Sequence, residues 1–124
     1  RGGRGSERET PCEVVGRGRM EAIVSEMGKK ATFLKATNSL AAMVESGWDC
    51  GDAAGRDAIF NACKRCFSLL RSRYSAVGFW RAGKALAEAC VAAMHTDPKR
   101  LATAKEWLSL AVIEVTNGDA ASGV

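Results

Sequence analysis

Apolar side chains recur at steps of three and four along most of this chain, and this spacing limits its possible folds more than any other feature. No stretch alternates apolar and polar residues as a half-buried strand does. Helix-breaking proline occurs only at Pro11 and Pro98, while alanine is abundant. Because 124 residues that are 47% hydrophobic suffice for one core, the sequence predicts an all-α fold, either a four-helix bundle or a short helical-repeat-like array.

The helical pattern divides the chain into three parts. Residues 1–18 mix arginine, glycine and glutamate without an apolar face and are expected to form a flexible arm. Residues 19–118 form the predicted helical domain, and residues 119–124 form a short polar tail. No apolar run approaches the roughly 20 residues that cross a bilayer, so no membrane span is expected. Since the chain opens with Arg1 rather than methionine, we expect that an upstream segment was removed.

The first helical region covers about residues 19–45 and is interrupted by Gly28. We favour one bent helix over two helices joined at residues 28–30. Trp48, just beyond its end, is expected to fold back onto the core. The predicted inward stripe is Met20, Ile23, Met27, Ala31, Leu34, Ala41 and Val44.

Three further helices follow from capping residues and helical spacing. Asp52 is a suitable N-cap for the second helix, Gly78 precedes the third, and Asp97 with Pro98 opens the fourth. Asn117-Gly118 predicts a left-handed cap that ends it. Dense small residues predict that the last two helices form a tight antiparallel hairpin. The inward residues are Ile59, Cys63, Cys66, Phe67, Leu70, Tyr74 and Val77 in the second helix, Phe79, Trp80, Gly83, Leu86, Ala87, Cys90, Val91 and Met94 in the third, and Leu101, Ala104, Leu108, Ala111, Val112 and Val115 in the fourth.

The last hairpin carries a pattern of small and large residues. Ala104, Leu108 and Ala111 follow one another as small, large and small, and Leu86 follows Gly83 at three residues. In these positions residues 79–118 resemble a tetratricopeptide-type helical repeat. The resemblance implies a scaffold for protein–protein contacts without catalysis.

The chain has five cysteines: Cys12, Cys50, Cys63, Cys66 and Cys90. An odd number without a regular framework favours an intracellular, reducing compartment over a secreted disulfide scaffold, without resolving cytosol, nucleus or organelle interior. Cys63 and Cys66 have the spacing of half a zinc site or of a redox pair. Their place on the apolar face favours ordinary core residues, with Cys63, Cys66, Cys90 and His95, and also Cys50, kept as the alternative metal ligands.

Catalytic groups are not apparent in the sequence. His95 is the only histidine, and at the end of its helix it forms no recognisable acid–base pair. Asp49, Asp52 and Asp57 are explained by capping and solubility, and no glycine loop has phosphate-binding spacing. We therefore expect no enzyme, no cofactor and no small-molecule substrate.

Positive charge is concentrated in the middle of the chain. Residues 56–84 hold seven cations and one acid, a net charge of +6, whereas the whole chain carries +4. Such a field attracts an acidic protein face or phosphates. The candidate binding residues are Arg56, Lys64, Arg65, Arg71, Arg73, Arg81 and Lys84.

These observations favour a non-catalytic interaction or assembly subunit that docks to a protein partner or larger complex through this basic segment. The alternative is an RNA-binding protein in which the Arg-Gly arm assists the same cations. A purely solvated surface is the third interpretation of the charge.

Overall fold

A computed structural model describes residues 17–49 and 51–122 of the chain, and these form five α-helices and no strand. The all-α prediction is confirmed, while the described residues form five helices rather than the four expected. The predicted arm lies outside the described residues except for residues 17–18, which open the first helix. The helices are α1 (Arg17–Met27), α2 (Lys30–Gly47), α3 (Ala53–Ser72), α4 (Val77–Ala93) and α5 (Pro98–Ser122).

The single bent helix expected over residues 19–45 is wrong, because the chain leaves the helical conformation between Met27 and Lys30. Lys29 has extended angles, with φ −113° and ψ 133°. The Thr32 hydroxyl donates a hydrogen bond to the Glu26 carbonyl (2.6 Å), and the Tyr74 hydroxyl donates one to the Gly28 carbonyl (3.0 Å). The Tyr74 hydroxyl thus supplies a donor to a carbonyl without a helical partner, whereas the Glu26 carbonyl also accepts from the Lys29 amide.

The break changes which face of α2 is buried. Ala31 and Leu34, predicted to face inward, are exposed, and Leu34 retains 43% of its accessible surface. Phe33, Ala36 and Leu40 are fully buried in their place. A change of one residue rotates the inward direction by about 100°, which explains the error.

Replacing Tyr74 with phenylalanine should lower the free energy of unfolding by about 1 kcal/mol, because the Gly28 carbonyl loses its donor. Urea denaturation of the two proteins measures this difference. Amide exchange of residues 28–32 should accelerate more than that of α4. Uniform acceleration in both regions would contradict a local role for the Tyr74 hydroxyl.

The predicted N-caps of α3 and α5 are confirmed. Asp52 Oδ1 accepts a hydrogen bond from the Gly55 amide at 2.7 Å, and Asp97 Oδ1 accepts one from the Arg100 amide at 3.2 Å. Pro98 is the first residue of α5, where its missing N–H removes no helical hydrogen bond. Trp48 is buried, as expected.

The predicted stop at Asn117-Gly118 is wrong, because α5 continues to Ser122 and takes in four residues of the expected polar tail. Gly118 serves helix packing instead, since a Cβ there would lie 2.6 Å from the Cβ of Val77. Arg81 and Asp119 form an ion pair beside this contact. The contacts join the end of α5 to the start of α4, so the predicted antiparallel hairpin is confirmed. Gly78 lies inside α4 rather than before it.

The core is continuous and has α4 near its centre, in contact with α2, α3 and α5. Gly83 of α4 faces Leu70 of α3 at a separation that leaves no room for a Cβ. In α5, Trp107 is buried, whereas Val112, which was expected to be inward, is 41% exposed. Within the described part of the chain, no helix is long and apolar enough to pass through a bilayer.

Candidate functional site

The seven candidate cations fall into two groups. Lys64, Arg65, Arg71 and Arg73 lie on α3 or directly after it and are exposed, and none forms an ion pair with another described residue. We call these four the basic surface. Lys64 and Arg71 are seven residues apart, which places them on the same side of α3 two turns from each other. Arg65 is turned by about 100° from that side.

The side chains of the other three candidates are bound to other groups of the same chain. Arg56 donates to the carbonyls of Trp48 (2.7 Å) and Asp49 (2.8 Å) and so caps the end of α2. Arg81 pairs with Asp119, and Lys84 Nζ lies 3.1 Å from Glu88 Oε2, one helical turn further along α4. Of the seven cations that the sequence assigned to one binding segment, four therefore have no ion-pair partner among the described residues.

A groove of about 610 Å³ runs beside the basic surface, between α3 and α5. Its polar side consists of Lys64, Ser68, Arg71 and Ser72 from α3 with Thr103 from α5. None of its lining residues is acidic. Two of the four residues of the basic surface, Lys64 and Arg71, thus border an open groove.

The apolar side of the groove is aromatic. Phe60, Phe67 and Trp107 line it, and the Phe67 and Trp107 rings stack with centroids 4.8 Å apart and planes 10° apart. Phe60 lies 5.3 Å from Trp107, centroid to centroid. Since Trp107 is 9% exposed and Phe67 is 1% exposed, these rings present little more than their edges to a ligand.

Arg100 was not singled out from the sequence, yet it joins several parts of this region. Its guanidinium pairs with Asp57 and lies 3.6 Å from Asp97, so the acid within the basic segment is already neutralised. It also lies over the rings of Trp48 (5.4 Å) and Phe60 (5.2 Å). Its position in the first turn of α5, two residues after Pro98, marked it as a helix-start residue but did not indicate these long-range contacts.

The cysteines of the described chain are in the core, as their place on the apolar face predicted. Cys63, Cys66 and Cys90 are buried and free. Cys63 Sγ lies 3.7 Å from Cys90 Sγ, and Cys66 Sγ lies 3.6 Å from the Thr37 hydroxyl. Cys12 and Cys50 lie outside the described residues.

The alternative metal ligands that the structure describes do not form a metal site, although the Cys63 and Cys90 sulfurs are neighbours. His95 is exposed, and its Nδ1 lies 3.0 Å from the Ala92 carbonyl oxygen, whereas Cys63, Cys66 and Cys90 are enclosed. Among the residues that the structure describes, no group of three or more histidine, cysteine or acidic side chains has an arrangement that could hold a metal ion.

Burial governs the chemistry of the thiols. Loss of hydration raises the pKa of Cys66 to about 12 from an ordinary value of 9.0, although the contact with Thr37 partly lowers it. The hydrogen-bond contact with Cys90, followed by burial, raises the pKa of Cys63 well above its ordinary value. Both thiols therefore stay protonated at neutral pH, and a protonated thiol is a poor nucleophile.

These pKa shifts predict that stability decreases in alkali. The unfolded thiols lose protons near pH 9 while the folded ones retain them, so each contribution is present below pH 9 and is lost as the pH rises towards 12. The expected loss is about 1.4 kcal/mol per pH unit for each fully shifted thiol. Urea denaturation from pH 7 to pH 11 should give a shallower decline for Cys66→Ala than for the unchanged protein. Equal slopes in the two proteins would contradict the shift at Cys66.

No protein-family model, curated protein or solved structure matches the chain. The likeness of residues 79–118 to a tetratricopeptide-type hairpin thus stays a prediction. The antiparallel pairing of α4 and α5 is a property that many helical hairpins share.

Proposed function

We propose that this protein is a non-catalytic helical subunit that docks to an acidic protein partner, within a larger assembly, through the basic surface. The carrying observation is that Lys64, Arg65, Arg71 and Arg73 are exposed without ion-pairing partners among the described residues. Four unpaired cations on one helix and its end produce a local positive field that increases the rate of encounter with an acidic surface.

The chemistry of the described residues supports a binding role over a catalytic one. The buried thiols of Cys63 and Cys66 have raised pKa values, which disfavour the thiolate that nucleophilic attack requires. His95 is exposed at the end of α4 and contacts a backbone carbonyl rather than a second acid–base side chain. A subunit of this kind belongs in a reducing compartment, where its free thiols persist.

RNA binding is the second candidate function, and the same unpaired cations favour it. Single-stranded RNA is commonly held by cations together with aromatic faces on which bases stack. Phe67 and Trp107 cover one face of each other and are only 1% and 9% exposed, which leaves the electrostatic part of this mechanism without its stacking part. We therefore rank a protein partner first.

A capture experiment tests the proposal. The tagged full chain is used to purify its partner from native extract, and the partner is identified by mass spectrometry and then purified. Reversing two charges, Arg71→Glu with Arg73→Glu, should weaken binding of the purified partner by at least about tenfold, because these charges set the electrostatic complementarity. The matched control is Lys30→Glu with Lys35→Glu on α2, which alters two exposed lysines and the net charge equally.

The results separate the candidates. Loss of binding only in the Arg71/Arg73 variant supports docking through the basic surface, whereas equal binding by all three proteins overturns it. For RNA, the logarithm of the affinity should fall by about 0.7 per neutralised phosphate for each logarithmic unit of salt. Absence of retention on single-stranded RNA at about 50 mM salt would remove this second candidate.

A further inference from the structure

We infer that the groove between α3 and α5 is the binding site for an acidic amphipathic helix of the partner protein. This inference rests on the proposed docking function and specifies which part of the surface makes the contact and what chemistry the partner presents. The groove has a polar row on α3, formed by Lys64, Ser68 and Arg71, and an aromatic row, formed by Phe60, Phe67 and Trp107. It therefore matches a helix that is acidic on one flank and apolar on the adjacent one.

The polar row sets the spacing of the acidic residues. Lys64, Ser68 and Arg71 follow one another at four and three residues, and they line the same groove. Their Cα atoms span about 10 Å along the helix axis, since an α-helix rises about 1.5 Å per residue. A helix lying along this row meets both cations when two of its acids are also seven residues apart. The Ser68 side chain lies between them and has no hydrogen bond within the described chain that would occupy its hydroxyl.

The aromatic row selects an apolar side chain rather than a nucleobase. Phe67 and Trp107 stack on each other, and Phe60 is already in contact with Arg100 and Lys64. A base needs a free ring face, whereas a leucine or methionine side chain packs against ring edges. The groove of about 610 Å³ is open to solvent, so a partner helix would lie along it rather than be enclosed by it.

A synthetic peptide of about 18 residues, long enough for five helical turns, tests the inference in solution. It carries leucines at helical spacing along one face and two glutamates seven residues apart on the adjacent flank. A control peptide has the same composition, with one glutamate moved to the opposite face. Fluorescence anisotropy with the full chain should show binding of the first peptide at least about tenfold tighter than that of the control.

Two variants distinguish the groove from the wider basic surface. Lys64→Glu with Arg71→Glu reverses both charges, and Ser68→Trp fills the groove while leaving every cation in place. All three positions are exposed, so the variants should fold, which circular dichroism checks. The groove site requires that both variants lose binding by at least about tenfold, since one removes the charge and the other the space.

Other outcomes reject the groove as the binding site, and one of them also rejects the proposed docking function. Binding that survives Ser68→Trp but not the charge reversal rejects the groove and leaves docking through the basic surface intact. Peptide binding that survives both variants rejects the groove as the peptide site. If the purified partner also binds the Arg71/Arg73 variant with unchanged affinity, the proposed docking function is rejected as well. The groove would be assigned to RNA instead if an oligouridine displaced the peptide with equal affinity and Ser68→Trp weakened oligouridine binding to the same extent.

Discussion

Truncating Phe33 to alanine should lower the free energy of unfolding by about 3–5 kcal/mol, the range for removing a buried aromatic ring. The Phe33 ring is fully buried, 4.8 Å from the Tyr74 ring and 5.5 Å from the Phe79 ring, centroid to centroid. It therefore joins α2 to the turn after α3 and to the first turn of α4. Because small domains are usually stable by only about 5–15 kcal/mol, a loss of this size would remove a large part of the total.

The adjacent residue supplies the matched control. Leu34→Ala removes a large apolar side chain that is 43% exposed, so it should change stability by no more than about 0.5 kcal/mol. Urea denaturation followed by circular dichroism measures both variants. A larger loss for Leu34→Ala than for Phe33→Ala would mean that α2 has the register of the single continuous helix predicted from the sequence.

Filling the contact between α3 and α4 should have the second largest effect. A Cβ at position 83 would lie 2.5 Å from Leu70 Cδ1 and 3.5 Å from Phe67 Cε1, inside a core with little free space. Gly83→Val places a rigid branched side chain there and should cost about 3 kcal/mol, at the upper end of the usual range for overpacking. Thermal denaturation at one protein concentration measures the loss.

Gly78 offers the control for this substitution, because nothing lies within 4 Å of a Cβ at that position. Gly78→Val should therefore be neutral to within about 0.5 kcal/mol. Adding Leu70→Ala to Gly83→Val should destabilise by about 1–3 kcal/mol less than the sum of the two single changes, since the second substitution makes room for the first. Additive losses would show that Leu70 is not the side chain in conflict.

Local interactions explain which parts of the fold were predictable. Asp52 and Asp97 cap their helices through amides three residues further along the chain, Gly55 and Arg100. Lys84 and Glu88 meet because they are four residues apart on one helix. Helical spacing likewise placed Cys63 in the core. Each of these features depends on residues within about one or two helical turns, a distance at which spacing alone determines proximity.

Long-range contacts explain the errors. Tyr74 stabilises the break after α1 by reaching Gly28, which lies 46 residues earlier in the chain. Gly118, which was expected to end a helix, instead lies within α5 and packs against Val77 of α4. No local pattern distinguishes a glycine that ends a helix from one that admits a neighbouring helix, since both require the absence of a side chain.

Some features of the candidate site were likewise predictable from local sequence, whereas others depend on residues distant in the chain. The sequence located the positive charge within residues 56–84, which became α3, the turn after it and the start of α4. The exposure of Lys64 and Arg71 follows from their position away from the apolar stripe. It could not indicate that Arg56 and Arg81 are engaged elsewhere, because their partners lie in other helices or loops. The groove itself depends on Trp107 stacking against Phe67, two residues 40 positions apart.

By itself, the sequence determined an all-helical protein, the starts of α3 and α5, a buried row of thiols and a positively charged third helix. Periodicity and capping encode these features because hydrogen bonds and side-chain neighbours along a helix repeat over a few residues. Only the tertiary structure decided the register of α2, the length of α5, which cations remain free and the concave site beside them. Those properties arise where helices that are distant in sequence meet, and the shape of each contact is set jointly by both surfaces.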